Sequence, residues 1–345
     1  MYKVTGNPVD RVYTSVIPFQ ANANVAFALD TNALVEELQF QITGTLTNAA
    51  YTTAPVKRVE SLENLIANLR ISGTAKNTGG RTADYCSVDG AYLAYRSRCM
   101  ETTAPVRTDV GTANAAYAFI STFKKYFGAK RLGAFYPYTF LDSRNLSSFT
   151  VNTQFRDVNA LLDLTAAVGG TAVLTAVQMT VHSREWQDGA VVANAPYVRE
   201  TQRSFDLTNY SGVDKDLLNA PVGNVLTRQT FKGTVGDTVY SDPSDAIFAT
   251  AAKLEGPHIK TVLNGNYTRS DSTYPQMRAN EKTLYSLETV PTGYVTQEYS
   301  RTGSIGNALD VRRARTLKNV ADLTFTAGST NTLQITDEEV VGFNG

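Results

Sequence analysis

Cysteine and histidine are scarce in this chain, with 2 of each among 345 residues, and the scarcity removes whole classes of chemistry. Cys86 and Cys99 stand in no CxxC pair, so they build neither a disulfide framework nor a zinc site. They read as small buried hydrophobes. Two histidines, His182 and His258, are too few for a three-histidine metal centre, and neither has the neighbours of a nucleophilic triad. No GxxxxGK[ST] loop, no GxGxxG opening a helix after a strand, no GxSxG and no HExxH occur, which disfavours nucleotide, hydrolase and metalloprotease chemistry. No cofactor is expected. Long apolar runs are absent too: nothing reaches 18 residues, and the start from Met1 to Pro8 lacks the apolar core of a secretory signal. The expectation is synthesis and folding in a host cytoplasm, where the sequons at Asn145, Asn209 and Asn266 carry little weight. Excess charge of either sign is missing as well. The 32 basic and 32 acidic residues cancel, so no bulk attraction to nucleic acid or to an anionic membrane is expected.

What the sequence does contain is strict alternation, the period of a strand with one buried face. From Leu38 to Leu46 the even positions are Leu, Phe, Ile, Gly and Leu, and the odd ones are polar. Phe149 to Phe155 and Val173 to Val181 repeat the pattern, and Ala321, Leu323 and Phe325 show it near the end. Helices look short and few. Ser61 is placed to cap one carrying Leu62, Leu65, Ile66 and Leu69; Asp157 to cap Val158, Leu161 and Leu162; and Asp242-Pro243 to start one holding Ile247 and Phe248. The strongest helical stripe is Ala116, Phe119, Ile120, Phe123 and Phe127, which predicts an amphipathic helix over 115–127 ended by Gly128. These helices do not alternate regularly with strands, so the class is all-β rather than parallel α/β.

A chain of this length fits two domains, and an internal echo points the same way. The segment from Phe149 to Val181 resembles the one from Val311 to Phe343, and Thr43-Gly44-Thr45 is echoed by Lys232-Gly233-Thr234. The division expected is an N-terminal arm over 1–14, a first domain over 15–194 and a second over 195–345, joined near Asn194-Ala195-Pro196.

Few residues are left for chemistry. The carboxylate pairs Asp214/Asp216, Asp242/Asp245 and Glu338/Glu339 supply the residue type a glycosidase needs, but solvated loop acids are the blander reading. His182 ends a strand on the face opposite its apolar residues, and His258 follows Gly256-Pro257 in a turn; both read as structural. Lys124, Lys125, Lys130 and Arg131 flank the amphipathic 115–127 segment and form a candidate assembly or membrane-facing patch. Arg312, Arg313 and Arg315, with Lys318, interrupt a strand pattern and are candidates for an exposed or intersubunit edge. The cluster Phe135-Tyr136-Pro137-Tyr138-Thr139-Phe140 suits either packing or a sugar platform. The chain is not expected to be an enzyme.

The layout resembles the double jelly-roll major capsid proteins of tailless icosahedral viruses, in particular those of bacteria and archaea. The resemblance rests on Ile17-Pro18-Phe19 leading into the Leu38 to Leu46 strand, on Leu62-Glu63-Asn64-Leu65-Ile66, and on Gly293-Tyr294 before a late strand. It covers about residues 10 to 343. It implies two successive jelly rolls with short helices in inter-strand loops and homotrimeric, pseudo-hexagonal capsomers that tile a shell around a genome. It further implies lateral contacts between capsomers, minor capsid or vertex proteins as partners, and in some cases an internal membrane. The long loops, expected over Thr74 to Thr112 and Gly265 to Asn280, would form outer towers and clasps. The first 14 residues, broken by Gly6 and Pro8, depart from the long amphipathic N-terminal helix of some relatives. The rival reading is a carbohydrate-binding β-sandwich of a spike or attachment protein, with a jelly-roll glycosidase third.

Overall fold

The alternating segments are strands, and most are longer than the pattern that revealed them. In the computed structural model the described residues are 7–76, 80–101, 106–131, 134–136, 139–187, 196–207, 212–217, 222–236, 241–248, 257–265, 267–300, 308–325 and 329–342. The side chains of 129–131, 134–136 and 241 are outside the description. The chain divides into two compact units, Met1–Arg199 and Glu200–Gly345.

The first unit runs β1 (Val9–Val12), β2 (Ile17–Pro18), β3 (Asn24–Ala28), β4 (Leu34–Thr53), β5 (Val56–Lys57), β6 (Ile66–Ala75) and β7 (Thr82–Val88). It continues through α1 (Gly90–Met100), β8 (Arg107–Thr108), β9 (Ala116–Tyr126), β10 (Ala129–Arg131), β11 (Ala134–Tyr136), β12 (Leu141–Asp142), β13 (Leu146–Phe155), β14 (Leu162–Asp163) and β15 (Val168–Trp186). One sheet has the order β1-β15-β4-β9-β8, and the other holds β7-β6-β13-β3. Every pairing described is antiparallel, as expected where strands alternate rather than run continuously apolar. Leu38, Phe40, Ile42 and Leu46 turn one face of β4 inward and are fully or almost fully buried. Across the core, Phe127 at the end of β9 meets Tyr85 and Phe149 of the second sheet, with ring centroids 6.3 Å away in each case.

The second unit begins within β16 (Tyr197–Asp206) and has β17 (Gly212–Asp216), β18 (Val225–Gly236), β19 (Ser241–Pro243), β20 (His258–Leu263) and β21 (Tyr267–Thr273). Then come α2 (Tyr274–Tyr285), β22 (Tyr294–Glu298), β23 (Leu309–Asp310), β24 (Leu317–Leu323) and β25 (Thr330–Val341). Again there are two layers. Strands β16, β25 and β18 lie side by side, with β19, β22 and β23 also on β18, while the other layer is β17-β24-β20-β21. Phe231, Leu333 and Ile335 from the first layer share one buried cluster with Ile259, Ala321 and Leu323 from the second.

The internal echo has a topological counterpart. Strand β4 pairs β15 in the first unit as β18 pairs β25 in the second. Gly44 and Gly233 occupy matching crowded positions: an added Cβ would stand 2.7 Å from Phe119 in one and 2.7 Å from Ile247 in the other. The earlier strands of the echo are out of step, because Val311 to Arg315 is a turn rather than a strand. The echo's ends at Gly328 and Phe343, and the join at Asn194-Ala195, lie outside the described residues.

The helix expectations need correction. Residues 116–126 form β9, not a helix: Phe119, Ser121, Phe123 and Lys125 face the core in strand register with Gly44, Ile42, Phe40 and Leu38. Tertiary pairing with β4 overrides a helical spacing that the same phenylalanines also satisfy as a strand. After Ser61 there is a single 3-10 turn at Glu63–Leu65 and then β6. The Asp157 cap is present, accepting the Asn159 N–H at 3.0 Å, on a 3-10 turn at Val158–Ala160. Another 3-10 turn, Asp245–Phe248, follows β19 and buries Ile247 and Phe248. Of the two α-helices, α1 lies inside a segment expected to be a loop, and α2 begins in the other such segment and runs five residues past its end at Asn280. Asp89 caps α1 by accepting the Tyr92 N–H at 2.7 Å, and Thr273 with Gln276 forms a capping box on α2.

Candidate assembly surface

The outward face of the first unit's large sheet is where its chemistry is most unusual. Because side chains alternate, the odd residues of β4 point away from the core, and registered with them are the even residues of β9 and a set on β15. At one end this face is ionic. Asp10, Glu37, Gln39, Lys124, His182 and Arg184 line a half-open groove of about 210 Å³. Lys124 donates to Glu37 at 2.8 Å and to Glu101, at the end of α1, at 3.2 Å. Burial works against the Lys124 charge, but the two acids outweigh it and hold the ammonium pKa above its ordinary value. Tyr126 donates to Glu101 at 2.6 Å, and burial followed by that acid raises its pKa.

At the other end the charges stop. Thr43, Thr45 and Thr47 of β4 stand beside Ile120, Ala118 and Ala116 of β9, and beside Gln178, Thr175 and Val173 of β15. All are at least partly exposed, and Val173 retains 49% of its surface. The sequence carries a signal for this surface that alternation does not reveal. Residues 38–56, 110–123 and 164–181 hold no Asp, Glu, Lys or Arg, in a chain that is 19% charged, and the fold brings those three segments together as neighbouring strands. A flat sheet face of Thr, Ala, Val and Ile without charge has the composition of an interface core, where charged side chains are depleted.

The residues singled out from sequence fall elsewhere or inside. Lys124 and Lys125 are not a solvent-facing patch. Lys124 is held in the ionic groove, while Lys125 is fully buried on the core face with its ammonium 5.5 Å from the Phe127 ring centre. Making 116–126 a strand sends consecutive lysines to opposite faces, which is why no cluster forms. Lys130 and Arg131 lie in β10, and their side chains are outside the description. Arg312 and Arg313 form a turn before β24 rather than a strand edge. Arg312 forks onto Asp310 at 2.9 and 2.6 Å, and that contact holds the Asp310 carboxyl down to about 2. The Arg315 N–H donates to Asn264 Oδ1 at 2.8 Å, and Lys318 pairs with Asp216.

The acids that a glycosidase reading would need are tied into the fold. Asp214 accepts from Lys260 at 2.8 Å. Asp245 accepts from Arg278 at 3.0 Å and from the Gly293 N–H at 2.6 Å. Glu338 accepts from Thr227 at 2.9 Å, and Glu339 from Asn224 at 3.5 Å. His258 joins Asp271 at 2.7 Å across the β20–β21 pair. Cys86 and Cys99 are buried and not disulfide-bonded. Of the aromatic cluster, Phe140 is buried and stacks on Trp186 at 6.4 Å; Pro137 and Tyr138, with the side chains of Phe135 and Tyr136, lie outside the description, as do Asn209 and Asn266. Among the described residues no group of three or more metal-ligating side chains converges, and no helix is long and apolar enough to cross a membrane.

One buried acid escaped the sequence reading. Glu281 of α2 is 2% exposed. Burial pushes its carboxyl up to about 8, with Thr296 countering part of the shift.

No family model matches the chain, and no curated protein does. Solved structures do match over nearly its whole length. A chain from the atomic structure of Sulfolobus turreted icosahedral virus superposes with TM-score 0.69 at 11% identity, covering 97% of this chain and 91% of that one. A chain of the PBCV-1 virus capsid gives 0.62 at 8% identity, covering 99% and 95%. The major capsid protein P2 of bacteriophage PM2 gives 0.57 at 10% identity, covering 98% and 99%. Two successive two-layered β units, superposable along their full length on these structures, give the chain the all-β double jelly-roll fold of viral major capsid proteins.

Proposed function

We propose that this chain is a structural subunit of a virion shell, one that associates with copies of itself into homotrimers whose six β-sandwiches make a pseudo-hexagonal tile. The observation that carries the reading is the full-length double jelly-roll fold, since the match spans 97% of this chain and 91% of the Sulfolobus virus chain. The charge-free face of β4, β9 and β15 supports it: self-association buries such a face at little desolvation cost, whereas a lone subunit leaves it in water. The ion pairs that hold Asp214, Asp216 and Asp245 favour this reading over a glycosidase. Lateral contacts between tiles, minor capsid or vertex proteins and an underlying membrane belong to the same proposal at a finer level.

The test is light scattering on the purified chain after size exclusion, with negative-stain imaging of the same fraction. A particle of three chain masses with a hexagonal outline is expected. A monomer that stays monomeric across salt and concentration overturns the reading.

A further inference from the structure

Beyond the sheet face, the first unit leaves one strand edge open. Past Thr47, where β9 ends, β4 and β15 continue as a two-stranded ribbon, with Ala49 paired to Thr171 and Asn48 to Ala172. An isolated ribbon of this kind is marginal in water unless something covers it. The β4 side is covered: Asn48 donates its N–H to Ala115 O at 3.0 Å and its side-chain amide to Gly111 O at 3.0 Å, and Asn114 both accepts from and donates to the Tyr51 backbone. On the β15 side, β1 and β2 reach only residues 178–185, and Phe19 adds a bond to Val177 O. Among the described residues nothing pairs with the outer edge of 168–176. Bulges bound that edge at Val168/Gly169 and at Thr175/Gln178, but between them it carries neither of the other common safeguards, because 164–181 contains no charge and no proline.

The edge is self-complementary. Since the Asn48 N–H points away from β15, Thr47 and its partner Val173 direct their backbone groups into the ladder between β4 and β15. Ala172 and Leu174 therefore present theirs to the open side. The sequence Thr171-Ala172-Val173-Leu174-Thr175 reads as β-branched, apolar, β-branched, apolar, β-branched in both directions. Antiparallel pairing about Val173 sets Ala172 opposite Leu174 of a second copy as a hydrogen-bonded pair, Thr171 opposite Thr175, and Val173 opposite itself as a non-hydrogen-bonded pair. Donors, acceptors and side chains all match, and no like charges meet.

We propose that residues 171–175 of β15 pair antiparallel with the same residues of a second copy of this chain, joining two first-unit sheets into one. The contact is isologous and has two-fold symmetry. It is therefore not the contact that closes a three-fold capsomer, and within the assembly reading, on which its biological setting rests, it links subunits of different capsomers.

The test is register-specific cross-linking. In the V173C variant the two new thiols face each other at a Cα separation of about 4.5 Å, inside the span of about 4.4–6.8 Å that a disulfide bridges. Oxidation by diamide, two thiols giving one disulfide, is expected to yield a linked dimer on a non-reducing gel. T171C alone is expected to yield severalfold less, and an equal mixture of T171C with T175C to restore the dimer. V59C, at a site that is 60% exposed against 49% for Val173, serves as the control for random collision. Cys86 and Cys99 are buried and contribute little background. A V173C dimer yield no greater than that of V59C, or equal linking by T171C alone, overturns the inference. Its failure with wild-type trimers intact leaves the capsid reading standing, whereas a wild-type monomer removes that reading instead.

Discussion

Replacing Glu281 by Gln is expected to flatten the fall of stability with rising pH between about pH 5 and about pH 8. The carboxyl is 2% exposed on α2, and its pKa rises from 4.5 to about 8 on folding because burial penalises the charged form. Between those values the folded chain holds a proton that the unfolded chain has released. Stability is therefore greatest at acid pH and falls as pH rises through the window, by about 1.4 kcal/mol per pH unit. Going from about pH 5.5 to about pH 7.5 costs the native state roughly 3 kcal/mol through this group alone. Glu281→Gln keeps the shape and removes the titration. Urea unfolding followed by circular dichroism across this range is expected to show the variant gaining on the wild type as pH rises, with the two curves converging near pH 5. Parallel curves would refute the reasoning, since they would mean that the carboxyl titrates alike in both states.

Three other outcomes follow from the packing and the surface. Phe231→Ala empties a fully buried site between the layers of the second unit and is expected to cost about 3–5 kcal/mol in urea unfolding. Lys124→Gln removes the ammonium that Glu37 and Glu101 share and is expected to destabilise the first unit by about 1–3 kcal/mol, a loss read from the unfolding midpoint and not from particle yield. Ala118→Glu places a charge on the exposed, charge-free face of β9; self-association measured by light scattering is expected to fall while the melting temperature stays within a few degrees.

How much of this was legible depends on whether a residue's environment is local. The β4 and β13 patterns alternate cleanly because one face meets core and the other water, so period two survives in the sequence, whereas a bulge between Thr175 and Gln178 shifts β15 and turns Val173 outward while Met179 and Val181 face the core. In β9 the core face is Tyr117, Phe119, Ser121, Phe123 and Lys125, and a buried serine and lysine break the alternation while Phe119, Ile120 and Phe123 imitate a helix. α1 was hidden for the opposite reason: ten of its eleven residues are buried, all but Arg98, so it has no polar stripe to report it. α2 did advertise itself through Thr273, Pro275 and Gln276, a capping box with a first-turn proline, within a stretch that composition made look like loop. The charge-free face was illegible from any one segment, because its three stretches become a surface only when the fold aligns them.

The absence of charge from that face also sets how the proposed association would respond to solution conditions. Coulombic screening acts on charges, and between Thr43, Thr45, Ala118 and Val173 of two subunits there are none to screen. Sodium chloride at physiological strength therefore leaves such a contact almost untouched. Sulfate and other salts excluded from protein surfaces strengthen it, and cooling weakens whatever share of it comes from dehydrating methyl groups. A shell joined this way is tuned by temperature and by water activity rather than by ionic strength.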